Sequence, residues 1–316
     1  MKWTKVFFLF FITITMSSEM VMANCGYSLD TPTLSYRVSD YNSTSQSTVS
    51  ITRNKDNGNP CSLFFLAFTK GGAGSYNRRA TNLSNGNTIY YNIYKNSNST
   101  GILKESSDIS SPDETFFGTI NKDQTNYYTY YMTLAPFGSI PPAAGTYVDN
   151  IQVQAYAGTY TKINSVEGHR DMNIYIVVSK FTSISLVDSG GTYDPAQTSK
   201  TLDFGELTTG EELGFDVRVA SNAGYRLKIS SSNNGHLKLI GASGSKSQID
   251  YSFYSNGTQV GLGNSSSSPV TIASGSGVTP AQGVKVPIRV VIGTVDNTKV
   301  PGTYQDYITL TTISTD

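Results

Sequence analysis

The chain is predicted to be all-β, as two tandem immunoglobulin-like β-sandwich domains, on three observations. Apolar and polar residues alternate with period two through many short runs, and no stretch sustains a helical period. The pattern G-T-Y-x-D-x-I-x-[V/L] occurs twice, from Gly145 to Val153 and from Gly302 to Leu310. The composition, with 21 Tyr, 29 Gly and 15% charged residues, suits half-buried pleats joined by tight turns.

Met1 to Ala23 read as a secretory signal. Lys2 and Lys5 form a basic start, Val6 to Met16 an apolar core, and Val21-Met22-Ala23 a small-residue cleavage site. The apolar run falls short of the ~20 residues that span a bilayer. The mature chain is expected to be exported, beginning at Asn24. Acidic and basic residues balance at 23 each, which leaves no basic surface for nucleic acid and no polybasic patch for anionic lipid. Cys25 and Cys61 are the two cysteines, and in an oxidising compartment they are expected to pair.

In the first half, strands are expected at Tyr27 to Val38, Thr48 to Arg53, Ser62 to Phe68, Thr88 to Tyr94, Tyr127 to Leu134, Thr146 to Tyr156 and Met172 to Ser179. Turn clusters such as Asn57-Gly58-Asn59-Pro60 separate them. The scheme then repeats: Thr182 to Val187, Leu202 to Leu207, Leu213 to Val219, Tyr225 to Ser230, Ile249 to Tyr254, Val286 to Ile292 and Tyr304 to Ile313. A second internal match supports the duplication, because Ile89 to Asn96 parallels Ile249 to Asn256 at nearly the same offset. The predicted units are 1–23 (signal), 24–180 and 181–316. After the first copy of the motif another strand-like run follows. After the second copy only Thr311 to Asp316 remain, so the second sandwich is expected to lack its closing strand. A rival account has Thr182 to Val187 close that domain itself.

Chemistry-bearing constellations are absent. His169 and His236 follow no nucleophile or metal-ligand spacing. Gly71-Gly72-Ala73-Gly74 opens no helix and carries no Lys-Ser/Thr pair for phosphate. The carboxylates are scattered, with no pair set across a cleft. The chain reads as a binding or structural protein without catalytic residues, cofactor or metal.

The P-x-x-G-T-Y-x-D-x-[I/V]-x-[V/L] strands, Phe137-Gly138-Ser139-Ile140 and Tyr91 to Lys95 resemble the spore coat protein U family, which includes subunits of archaic chaperone–usher pili. Leu202 to Leu207 and Ser221 to Leu227 resemble the pilin domain of the same group. A two-domain member is similar to the tip adhesin of a Csu-type pilus. The resemblance implies an N-terminal adhesin domain that attaches to surfaces or host receptors and promotes biofilm formation. It implies a C-terminal pilin domain completed by a donor strand. The implied partners are a periplasmic pilus chaperone, an outer-membrane usher and the next pilin subunit, on a route through the periplasm to the cell surface. Independently, an open sandwich edge is an aggregation hazard unless another chain's strand fills it. Tyr304, Ile308 and Leu310 are expected to border that groove. A secreted coat or matrix protein and a lectin-like module stay open as other uses of the same fold.

Strand alternation sets the distal pole. Met172 to Ser179 leads into the second domain, so the loop before it, Ala157 to Arg170, is expected at the far end with Asn54 to Pro60 and Asn96 to Asn126. Aromatic and apolar residues there are the candidate anchors: Tyr156, Tyr160, Ile163, Val166, Ile109, Phe116 and Phe117. For Phe116 and Phe117, a role in covering the sandwich end or continuing a strand has equal standing.

Overall fold

A computed structural model describes residues 25–38, 44–55, 61–137 and 140–315. The signal segment and residues 56–60 of one expected distal loop lie outside them. The first half contributes ten strands: β1 (Tyr27–Asp30), β2 (Leu34–Val38), β3 (Thr44–Arg53), β4 (Leu63–Phe68), β5 (Arg78–Asn82), β6 (Thr88–Tyr94), β7 (Phe116–Thr119), β8 (Thr125–Leu134), β9 (Gly145–Thr159) and β10 (Lys162–Val178). They pair in the order β1-β3-β8-β6-β5-β9-β10-β2, with β4 between β7 and β9. β9 joins the two layers: Tyr147 and Val148 pair with β5, and Val153 to Ala157 with β4.

Alternation decides which side chains enter the core. Along β10, Met172, Ile174 and Ile176 are wholly buried and Val178 nearly so, while Asn173 and Tyr175 face out. Ile51, Phe64, Tyr130 and Ile151 meet them from the other strands. Each such aliphatic side chain contributes at most about 1.5–3 kcal/mol by leaving water.

The second half contributes β11 (Thr182–Val187), β12 (Glu212–Ser221), β13 (Gly224–Ser231), β14 (His236–Leu239), β15 (Gln248–Ser255), β16 (Thr258–Val260), β17 (Val270–Gly275), β18 (Val284–Ile292), β19 (Tyr304–Gln305) and β20 (Ile308–Thr315). Apart from β16, which pairs with β15, the pairing repeats that of the first half. β11-β12-β18-β15-β14-β19 answers β1-β3-β8-β6-β5-β9, and β17-β13-β20 answers β7-β4-β9. Among the described residues β10 and β2 have no paired counterpart. Phe215, Val217, Leu227, Phe253 and Ile288 form a separate core.

Several local expectations change. Tyr27 to Val38 is two strands, because the break at Thr31-Pro32 sends β1 to β3 and β2 to β10. Leu202 to Leu207 forms no strand; it bends at Gly205-Glu206 and lies against the second core with Leu202 and Phe204 half-buried. Ala157 to Arg170 is no loop. β9 and β10 run on as a hairpin turning at Tyr160-Thr161, and two bulges re-aim its side chains.

Asn222, 1% exposed, ties the two units together. Its side-chain amide donates to the carbonyls of Pro142 and Ser179, both at 3.0 Å, and its Oδ1 accepts the Phe181 N–H at 2.7 Å. The Ala144 N–H donates to the Asn222 carbonyl at 2.9 Å.

Candidate functional site

The duplicated motif builds the same local structure twice. Tyr147 Oη donates to the Ala143 carbonyl at 2.7 Å, and Tyr304 Oη to that of Val300 at 2.6 Å, each clamping the turn into the strand. Gly145 and Gly302 have φ of 138° and 148°, where a side chain is strained. A Cβ there would also sit 2.5 Å from Asn82 Nδ2 or Leu239 Cδ1. The Asp serves as a half-buried acceptor. Asp149 takes the Tyr91 hydroxyl at 2.6 Å and the Gly72 N–H at 3.0 Å. Asp306 takes the hydroxyls of Tyr251 at 2.6 Å and Ser231 at 2.5 Å. Burial first, then the neighbouring carboxylate, pushes Tyr91 and Tyr251 well above the usual phenol range.

The environments of the two copies then diverge. Tyr147, Ile151 and Val153 are each 0% exposed, because β10 runs antiparallel beside β9 from Gly145 to Thr159 and β2 runs parallel on its far side. In the second copy Ile308 is 36% exposed, and Tyr304 and Leu310 are half-buried. β20 is bonded to β13 and β19 to β14; among the described residues no strand pairs with their other edge. In place of a strand lies a groove of about 830 Å³ that includes Tyr304, Ile308 and Leu310 in its wall. Leu186, Phe215, Leu237, Ile249, Val290 and Ile292 contribute its apolar lining, and Lys200 to Leu207 form the opposite bank. Thr182 to Val187 does not fill it. That segment, β11, pairs along its length with β12, and the Thr182 hydroxyl lies 2.9 Å from that of Thr312 on β20.

The far pole of the first unit holds the Cys25–Cys61 disulfide and the tip of the β9–β10 hairpin. Register places Phe117, Phe65, Tyr156 and Val166 in one row across β7, β4, β9 and β10. The middle pair is covered. Phe65 stacks on Tyr156 at 4.7 Å and 11°, under Ile109 and Tyr160. The ends are open, with Phe117 and Val166 both 46% exposed, beside Ile163 at 46% and Leu63 at 41%. Tyr160 lies against Phe117 at 5.7 Å, and Lys95 Nζ is 5.4 Å from the Phe117 ring centre.

Tyr156 and Phe116 therefore do not belong to the candidate surface. They are 6% and 5% exposed, one under the loop whose Ser106 hydroxyl bonds its own, the other facing Phe68 and Tyr128 in the core. Ile109 is half-buried as part of the cover. Leu63 was legible as a surface candidate. The unbroken apolar run Leu63 to Phe68 places apolar side chains on both faces of β4, so its first outward member stands where cover ends. His169 is exposed, and His236 Nδ1 lies 2.6 Å from Asp250. Among the described residues no three His, Cys, Asp or Glu side chains converge on a metal site.

No curated protein matches the chain. Among solved structures, it aligns with the CsuC–CsuE chaperone–tip adhesion subunit pre-assembly complex from the Csu pili of Acinetobacter baumannii. Identity is 13%, TM-score 0.42, and coverage 90% of this chain and 99% of that one. It aligns with the CFA/I adhesin CfaE of enterotoxigenic Escherichia coli at 12% identity and TM-score 0.41, covering 90% and 92%. For the CupB6 tip adhesin of Pseudomonas aeruginosa the values are 8%, 0.36, 90% and 93%. A family model, the Spore Coat Protein U domain, matches residues 11–154, which end within β9. The matched residues take in the first copy of the repeated strand and stop before β10.

Proposed function

We propose that the chain is the tip adhesin of a chaperone–usher fibre. In this reading the second unit joins the fibre by accepting a donor strand, and the first attaches to a surface or receptor, supporting biofilm growth. The observation that carries the reading is the contrast between the two copies of one strand. The first is sealed by β10; the second borders an apolar groove where β10's counterpart would lie. A strand that fills such a slot gains backbone ladder bonds on an open edge and alternate side-chain pockets. The Spore Coat Protein U match agrees with this assignment. A periplasmic chaperone would occupy the groove first and the next subunit's strand would replace it at an outer-membrane usher, on the way to the cell surface. The distal pole, with Leu63, Phe117, Tyr160, Ile163 and Val166, is the attachment surface of this reading.

β10 supplies the test. A synthetic peptide with the sequence Asp171 to Ser179 carries the four side chains that seal the first core. Added to the full-length protein, it is expected to slow amide exchange along β20 and the Leu202 to Leu207 segment at one peptide per chain. A peptide with Ile174→Asp and Ile176→Asp is expected to do neither, because a charge cannot enter the groove unpaired. Unchanged exchange at millimolar wild-type peptide would refute the reading.

A further inference from the structure

The outer face of the first unit's central sheet, formed by β3, β6 and β8, is distinct from both the groove and the distal pole. Across those three strands the one charged residue is Arg53, which points inward and is 4% exposed. The outward positions of β3 are Thr44, Gln46, Thr48, Ser50 and Thr52; facing them on β8 are Thr133, Tyr131, Thr129, Tyr127 and Thr125. Tyr94 of β6 pairs with Tyr131, so the two tyrosines occupy adjacent positions across the strands. Tyr127, 72% exposed, precedes Tyr131 by four residues along β8, about 13–14 Å away at strand rise. Between the two aromatic stations lie Thr129 and Thr48, both exposed. At one end the hydroxyl of Ser99 closes on that of Thr133 at 2.9 Å.

Strand propensity accounts for Thr and Tyr here but not for the missing charge. The second unit is an internal control. Its equivalent strands β12, β15 and β18 carry Glu212, Asp216, Arg218, Asp250, Lys285 and Arg289, and Glu212 and Arg289 pair across the sheet at 2.6 Å. Charge at these positions is thus compatible with the fold; in the first unit it is lacking on the three central strands and stands on the flanking ones, as Asp30 beside Ser50 and Arg79 beside Tyr90.

We infer that this face binds a linear, uncharged polysaccharide. Nucleic acid or an anionic lipid would need a cluster of cations, and the three central strands offer none. An apolar peptide would need aliphatic cover, and the outward positions offer hydroxyls and amides. A neutral sugar chain matches both elements: its C–H faces stack on the tyrosine rings, and its hydroxyls exchange bonds with the Thr, Ser and Gln rows. Two stations set apart by about 13–14 Å favour a chain of several sugars over a single one. The inference does not rest on the fibre reading, since neither the groove nor the distal residues take part.

Native gel electrophoresis of the full-length protein tests it, in gels containing mixed-linkage β-glucan, galactomannan or dextran, with alginate as the acidic comparison. Retardation by at least one neutral polymer is expected, and Tyr127→Ala with Tyr131→Ala should weaken it at least tenfold. Thr48→Lys, at an exposed position, should weaken it similarly while leaving the melting temperature unchanged, which separates loss of the face from loss of the fold. The distal change Ile163→Ser with Val166→Ser should leave retardation intact. The inference is overturned if no neutral polymer retards the protein, if alginate retards it more strongly, or if Thr48→Lys and the double change Tyr127→Ala with Tyr131→Ala migrate as the wild type does.

Discussion

Truncating the same isoleucine in the two copies of the repeated strand should have unequal consequences. Ile→Ala removes three carbon groups, worth about 0.8 kcal/mol each on transfer from water. Ile151 is wholly buried between paired strands, so its loss adds a cavity that its neighbours cannot close. A cost of about 3.5 kcal/mol is expected, within the usual range for such sites. Ile308 is 36% exposed and faces the groove. About two thirds of the transfer term applies there and no sealed cavity forms, giving about 1.5 kcal/mol. The difference of about 2 kcal/mol corresponds to roughly a thirtyfold change in the opening equilibrium. Hydrogen exchange of the full-length protein at increasing urea resolves the two units separately. With the Asp171 to Ser179 peptide bound, the Ile308→Ala penalty should rise toward that of Ile151→Ala. Equal penalties without any peptide would refute the idea that the second copy is uncovered.

Three further outcomes are expected. Cys25→Ser with Cys61→Ser frees a loop with a sequence separation of 36 and should lower stability by roughly 3.5–4 kcal/mol, a loss confined to the first unit in urea melts. Raising pH should leave stability level up to the ordinary tyrosine range and erode it above about pH 10. Tyr27, Tyr76 and Tyr130 are held near 12 by burial first of all, and Tyr91 and Tyr251 higher still. Folding therefore retains protons that the unfolded chain releases, at up to about 1.4 kcal/mol per pH unit for each tyrosine. Tyr91→Phe and Tyr251→Phe should flatten that slope in denaturant melts from pH 8.5 to 11. Finally, Tyr160, Ile163 and Val166 changed together to Ser should preserve the fold and secretion while reducing attachment of fibre-bearing cells. Undiminished attachment would move the surface elsewhere on the first unit.

Period-two alternation made the all-β class legible, and the repeated motif located the strand that matters most. What alternation could not deliver was partner identity. Leu202 to Leu207 alternates like a strand, yet a strand needs a neighbour, and its counterpart β2 has β10 where this segment borders an open groove. The polar strand β5 escapes the alternation pattern because its inward Arg78 looks like a surface residue. Its guanidinium is wholly buried and donates to the carbonyls of Phe68, Thr69 and Leu103. The burial of Tyr156 is not legible in the sequence for a related reason. A residue two strands from a sheet edge is covered or not according to a distant loop, here the one carrying Ser106 and Ile109, and no local pattern records where that loop lands.

The 17-residue strand β10 has a mechanical consequence. Ile163 and Val166 sit near its beginning, and three residues, Ser179 to Phe181, separate its last residue, Val178, from β11 of the second unit. A pull applied to that end of the hairpin runs along one continuous backbone into the neighbouring unit. Flow drag would therefore tension a covalent strand and shear the ladders on either side of it, leaving the rest of the first sandwich largely out of the line of force.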